Sequence, residues 1–149
     1  MDGVICTNRK ARHDYFIEGS FEAGIVLTGT EVKSLRSGRA NLRDAYAKVE
    51  GGELWLCNCH IDEYEFGNRF NHNPLRERKL LMHHREIIKL EVKTRERGFT
   101  IIPLSMYFKK GRVKLELGLA HGKRKYDKRQ ALKQEEVKRE LAKIQRQRW

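Results

Sequence analysis

Apolar residues occupy every second position from Val113 to Leu119, with Lys114, Glu116 and Gly118 between them, the cleanest strand pattern in the chain. It predicts a hairpin of residues 99–108 and 113–120 turning across Lys109-Lys110-Gly111-Arg112. Pro103 has no amide hydrogen to give a ladder, so its strand is expected at an edge or a bulge. Residues 44–49 and 54–61 predict a second hairpin around Glu50-Gly51-Gly52-Glu53, since paired glycines favour a tight turn. Strict alternation over 54–61 sets Trp55, Cys57, Cys59 and Ile61 on one face and Leu54, Leu56, Asn58 and His60 on the other. Residues 15–21 and 24–27, separated by Glu22-Ala23, predict a third hairpin.

Helical spacing is rarer. Thr28-Gly29-Thr30 ends a strand with Gly29 free to take a positive φ, and Thr30 is placed to cap a short helix over 31–36. Glu31 suits the positive end of that helix. Val32, Leu35 and Leu42 are expected to face inward, leaving Glu31, Lys33, Ser34, Arg36, Arg39 and Arg43 as a mostly cationic rim. Residues 62–75 are polar, carry no period and predict a loop. Residues 76–82 lead into a second helical stretch, best formed over 84–97 and ending at Gly98. Six strands with two inserted short helices, and no β-α-β rhythm, predict a mainly β fold, a small antiparallel OB-like barrel.

The barrel is expected to fill residues 1–121, because the composition changes abruptly after His121 and residues 122–149 form a basic tail. Val137, Leu141 and Ile144 give that tail a thin amphipathic stripe. From Asp127 onward eight Lys and Arg face four Asp and Glu, which predicts an arm that is flexible alone or helical on a bound polyanion.

Charge narrows the partners. Lys and Arg number 32 against 20 Asp and Glu, a net +12 with a pI of about 9.8, so a polyanion is the first expectation and an anionic membrane the second. No apolar run approaches the roughly 20 residues of a spanning helix, and a soluble cytoplasmic protein is expected. The odd cysteine count, Cys6, Cys57 and Cys59, argues for free thiols. Cys57, Cys59 and His60, even with His72, His83 and His84, lack the paired spacing of a structural zinc site, so core cysteines and no metal or cofactor are expected. His13 with Asp14 or Glu31 is a weak acid–base pair, and no nucleophile–base pair or phosphate-cradling glycine loop accompanies it, which argues against an enzyme.

Asn8-Arg9-Lys10-Ala11-Arg12-His13 sets cations against Tyr15-Phe16-Ile17, a mixture that suits RNA phosphates and unstacked bases. The plain alternative is a solvated turn leading into the first strand.

Several stretches together resemble one family: NRKARHDYFI at 8–17, GTEVKSLRSGRANL at 29–42, RERKLL at 76–81, IPLSMYFKKG at 102–111 and GLAHGKRKYDKR at 118–129. In order and spacing they are similar to the SsrA-binding proteins, or small protein B, partners of transfer-messenger RNA in bacterial ribosome rescue. The short N-terminal lead, Met82 and the two central cysteines are minor departures. The resemblance implies an OB-like body that binds the tRNA-like domain of transfer-messenger RNA, one protein to one RNA, and reaches stalled ribosomes with elongation factor Tu. It implies RNA-facing roles for Asn8, Arg9, Lys10, His13, Tyr15, Glu31, Lys33, Tyr46, Arg78, Lys79 and Leu80. Glu31 is open between accepting from a base or ribose and fixing neighbouring cations or its helix. The resemblance also implies that the tail enters the decoding site and the empty messenger channel of the small ribosomal subunit. Tyr126, Asp127, Lys128 and Arg129 would then lie at the decoding centre, with Lys123, Lys125, Lys133, Lys138 and Arg139 along rRNA phosphates. A general single-strand RNA-binding or ribosomal protein remains the alternative.

Overall fold

A computed structural model describes residues 3–122 of the chain. Its elements in order are β1 (Gly3–Thr7), α1 (Arg9–Asp14), β2 (Tyr15–Ile25), α2 (Gly29–Arg36), β3 (Ala40–Asn41), β4 (Tyr46–Glu50), β5 (Glu53–Cys57), β6 (His60–Ile61), β7 (Arg78–Leu81), α3 (His84–Arg97), β8 (Thr100–Lys109) and β9 (Arg112–Gly122). The large sheet runs β1-β8-β4-β5-β7-β2-β9, and β8 also pairs with β9. Six strands thus close on themselves as an antiparallel barrel, and β1 adds to β8 outside the ring. β3 and β6 form a separate two-stranded ladder.

The interior collects Leu54 and Leu56 from β5, Leu80 from β7, Ile101 and Met106 from β8, and Leu115, Leu117 and Leu119 from β9, all within 1% of full burial. Each such side chain contributes about 1.5–3 kcal/mol over an exposed one. A second cluster of Ala11, Ile102, Leu104 and Ala120 lies on the other face of the β8–β9 pair, where α1 covers it. That explains the unbroken burial of Ile101-Ile102-Pro103-Leu104: both faces of β8 are covered. Gly118 is required beneath this cluster, since a Cβ there would sit 2.9 Å from Leu104 Cδ1 and 3.1 Å from Ile17 Cγ2.

The Gly51-Gly52 turn (φ 61° and 77°), the β8–β9 hairpin and α3 with its left-handed Gly98 (φ 69°) all match the sequence pattern. Pro103 sits at a register break between Pro103 and Ser105, on a strand with partners on both sides, so it marks a bulge and not an edge.

Other expectations are corrected. β2 is one eleven-residue strand and no hairpin, because Glu22-Ala23 lacks a residue that turns the chain and Ala23 is buried against Leu115. Gly29 has no positive φ; it is the first residue of α2, which Thr28 and not Thr30 caps. Residues 78–81, expected to approach a helix, are strand β7 between β5 and β2. Residues 3–7, for which no strand is expected, form β1, which pairs with β8 through Gly3↔Phe108 and Thr7↔Ser105. Alternation over 54–61 fails at Asn58, whose φ of 58° turns the chain so that Cys59 and Ile61 are buried along with Leu54 and Leu56.

Candidate nucleic-acid interface

Asn8 builds the floor of a cleft beside α1. Its Nδ2 donates to the carbonyls of Leu42 and Pro103 at 3.0 Å each, and its Oδ1 accepts from the Ala11 amide at 3.1 Å. Its own amide donates to Leu104. One buried side chain therefore caps α1 and ties it to β8 and to the segment before β4. The result is a cleft of about 260 Å³ between α1, the start of β2 and residues 43–46, lined by Asn8, Lys10, Tyr15, Arg43, Asp44 and Tyr46 among others. Tyr15 is half-buried and Tyr46 is 39% exposed, so each keeps ring surface at the cleft. Lys10 Nζ lies 3.4 Å from Asp44 Oδ1, and His13 Nδ1 lies 3.0 Å from Asp14 Oδ1.

Four residues singled out in the sequence, Asn8, Lys10, Tyr15 and Tyr46, are thus brought together. Arg9 and His13 are exposed on the same helix. The sequence reading set Asp14 aside as a weak acid–base partner of His13, missed Asp44 and placed Arg43 only on a general rim. The available signal was a carboxylate just before a tyrosine, at Asp14-Tyr15 and again at Asp44-Ala45-Tyr46. Chemically the cleft offers two rings for stacking, two long cations for phosphate and two carboxylates able to accept from base edges.

Glu31 stands at the centre of a different arrangement. It is fully buried, not part of an exposed rim as expected, and so is Ser34, whose Oγ donates to the Asp62 carbonyl at 2.7 Å. Glu31 Oε1 accepts from the Thr28 amide at 2.8 Å and from Arg76 Nη2 at 2.6 Å, while Oε2 accepts from Arg78 Nε. Burial alone would raise the Glu31 pKa, but the Arg76, Thr28 and Arg78 hydrogen bonds hold it below its ordinary value. Arg78, also fully buried, donates to the carbonyls of Cys59 (2.7 Å) and Pro74 (3.1 Å). Of the two roles open to Glu31 the structure contains the second, fixing neighbouring cations and its helix. Glu31, Arg78 and Leu80 present no side-chain surface to a ligand, and Asn8 presents almost none. The strand period of β7 explains this, because Arg78 and Leu80 point inward while Lys79 points out, its Nζ 3.1 Å from Glu53 Oε1.

Lys33 is exposed on α2, with its Nζ 5.3 Å from the centre of the Tyr64 ring. The three cysteines are free thiols; Cys57 and Cys59 are buried and Cys6 is partly so. Burial pushes Cys6 to about 11 and Cys59 to about 12, so both stay protonated and unreactive. Among the described residues no three His, Cys, Asp or Glu side chains are grouped to hold a metal ion, and no helix is long and apolar enough to cross a membrane. Lys123, Lys125, Tyr126, Asp127, Lys128, Arg129, Lys133, Lys138 and Arg139 lie outside the described residues.

Comparison with known proteins extends over nearly the whole chain. A family model described as SmpB protein matches residues 5–147. SsrA-binding proteins of Staphylococcus aureus, among them those of strains Newman and MRSA252, are 60% identical over 147 residues, covering 99% of this chain and 96% of theirs. A solved chain from work described as "tmRNA-SmpB: a journey to the center of the bacterial ribosome" superposes with a TM-score of 0.68 at 49% identity, over 79% of this chain and 83% of that one. With the closed barrel, the capped α1 and the cleft beside it, these matches establish that the chain belongs to the SmpB protein family.

Proposed function

We propose that the protein is the RNA-binding adaptor of trans-translation, binding the tRNA-like domain of transfer-messenger RNA through its barrel and bringing it to stalled ribosomes. The observation that carries this reading is the cleft in which Tyr15 and Tyr46 stand beside Lys10 and Arg43. Rings supply stacking for unpaired bases, and the long cations supply phosphate attraction. Arg9 and His13, exposed on α1, extend this surface, and Lys33 on α2 and Lys79 on β7 add cations elsewhere on the barrel. The buried Asn8 shapes the cleft from below, and the buried Glu31, Arg78 and Leu80 hold the barrel that carries it.

In this reading residues 1–121 are the RNA-binding body, and residues 122–149 are a separate arm for the decoding site and messenger channel of the small subunit. One protein accompanies one RNA, elongation factor Tu joins the complex through the RNA, and the work is done in the cytoplasm without chemistry by the protein.

The test is a titration across salt concentrations of the tRNA-like domain, an ordinary tRNA and a DNA duplex, with the full chain and with a chain ending at Gly122. A salt-tolerant preference for the tRNA-like domain, kept by the shorter chain, is expected. Equal binding to all three that collapses together as salt rises would instead make this a general charge-driven binder. Replacing Tyr15 and Tyr46 by Ala together is expected to weaken the preferred complex about tenfold or more. Tyr126→Ala, Asp127→Ala and Lys128→Ala combined should leave that affinity nearly unchanged while abolishing tagging on stalled ribosomes.

A further inference from the structure

The segment between β6 and β7 carries two of the most exposed apolar side chains among the described residues, Phe66 at 73% and Phe70 at 78%. Large rings left in water on an otherwise polar loop mark a contact surface. The loop that displays them is tied down. The Asn71 side chain both accepts from the Tyr64 amide (2.8 Å) and donates to the Tyr64 carbonyl (2.6 Å). His72 Nε2 donates to the Ile61 carbonyl at 2.9 Å, and His72 Nδ1 lies 2.8 Å from Thr30 Oγ1 on α2. Gly67 fits against this brace so closely that a Cβ would lie 2.7 Å from Asn71 Nδ2 and 3.1 Å from Thr30 Cγ2. The backbone that carries the rings is therefore held in place before any partner arrives.

Cations accompany the rings. Arg69 lies 5.1 Å from the centre of the Phe70 ring, Lys33 lies 5.3 Å from that of Tyr64, and Tyr64 meets Phe66 edge to face at 5.7 Å. Glu63 and Glu65 add two carboxylates. Hollows lie beside both the cleft and the loop. A shallow depression beside the cleft shares Arg43 and Asp44 with it and reaches Asn41 and His60, the β3–β6 ladder. Arg39, the residue before β3, lines a separate hollow together with Tyr64 and Phe66.

We propose that this loop is a second contact for the same RNA that occupies the cleft: unpaired bases stack on Phe66 and Phe70 while Lys33, Arg39 and Arg69 hold the adjoining phosphates. The inference rests on the RNA-binding reading. Stacking needs a planar face, whereas an apolar protein partner needs only apolar area, and that difference separates the two occupants.

Full-length protein would be titrated with the tRNA-like domain of transfer-messenger RNA in three forms: unaltered, Phe66→Leu with Phe70→Leu, and Phe66→Trp with Phe70→Trp. Thermal unfolding would verify that the exposed substitutions leave the fold intact. The leucine pair is expected to bind about tenfold to a hundredfold more weakly, and the tryptophan pair as well as the unaltered protein or better, with its fluorescence quenched on binding. Tight binding by the leucine pair equal to that of the unaltered chain overturns the inference and assigns the rings to a protein partner. Failure of the unaltered chain to prefer this RNA would instead remove the underlying functional reading, a result that the loop variants do not influence.

Discussion

Removing the Asn8 carboxamide removes three hydrogen bonds at once and leaves the Leu42 and Pro103 carbonyls without it. A lost cap costs about 1 kcal/mol and buried unsatisfied groups about 1–3 more. Asn8→Ala should therefore destabilise the protein by roughly 2–4 kcal/mol in denaturant unfolding. RNA affinity should fall only as far as α1 detaches. Glu31 is the second residue whose importance is internal. Breaking a buried pair from one side costs about 3–5 kcal/mol, so Glu31→Gln should lower the unfolding free energy at neutral pH by that order. Because its folded pKa lies below the ordinary 4.5, its contribution is complete above that value and is lost as pH falls towards the folded pKa. Unfolding measured from pH 7 down to pH 3 should show the two proteins converging in acid. A gap that stays constant with pH would contradict this role.

At the level of elements, what the sequence revealed and what it hid have physical causes. Hairpins with tight glycine turns and α3 with its left-handed terminator were legible, since their signals are local. β1 and β7 were not, because both are short and owe their existence to partners distant in the chain. Cations looked alike in the sequence although they are not: Arg78 is inside the barrel, Lys79 outside, and only the strand period distinguishes them. The tyrosines and Lys10 of the cleft were found, but Phe66 and Phe70 were lost in a loop without period. Asn58 shows how one residue overrides a pattern. Its left-handed backbone exchanges the faces of the strand, so Asn58→Val, which disfavours that conformation, should cost at least about 1–2 kcal/mol. Asn58→Gly should cost little. Thermal unfolding of the pair gives the comparison.

For the whole molecule, charge is unevenly shared: residues 123–149 hold eleven Lys and Arg against four Asp and Glu. Measured affinity for any polyanion thus mixes the body with the tail. In the chain ending at Gly122, Lys10→Ala or Arg43→Ala should each reduce the slope of log affinity against log salt by about 0.7–0.9, the share of one phosphate contact. An unchanged slope would remove those cations from the interface.

Barrel closure has a consequence for how the protein comes into being. Tyr15 pairs with Gly122, and β8 meets β1, β4 and β9, so the ring has no complete form until the last strand exists. Such distant pairings fold slowly, and until they form β2 and β8 expose unsatisfied ladder edges to other chains. A ribosome that halts on this message after β8 but before Gly122 therefore leaves the sheet open and aggregation-prone, and the folded protein arises only after its final strand has been made.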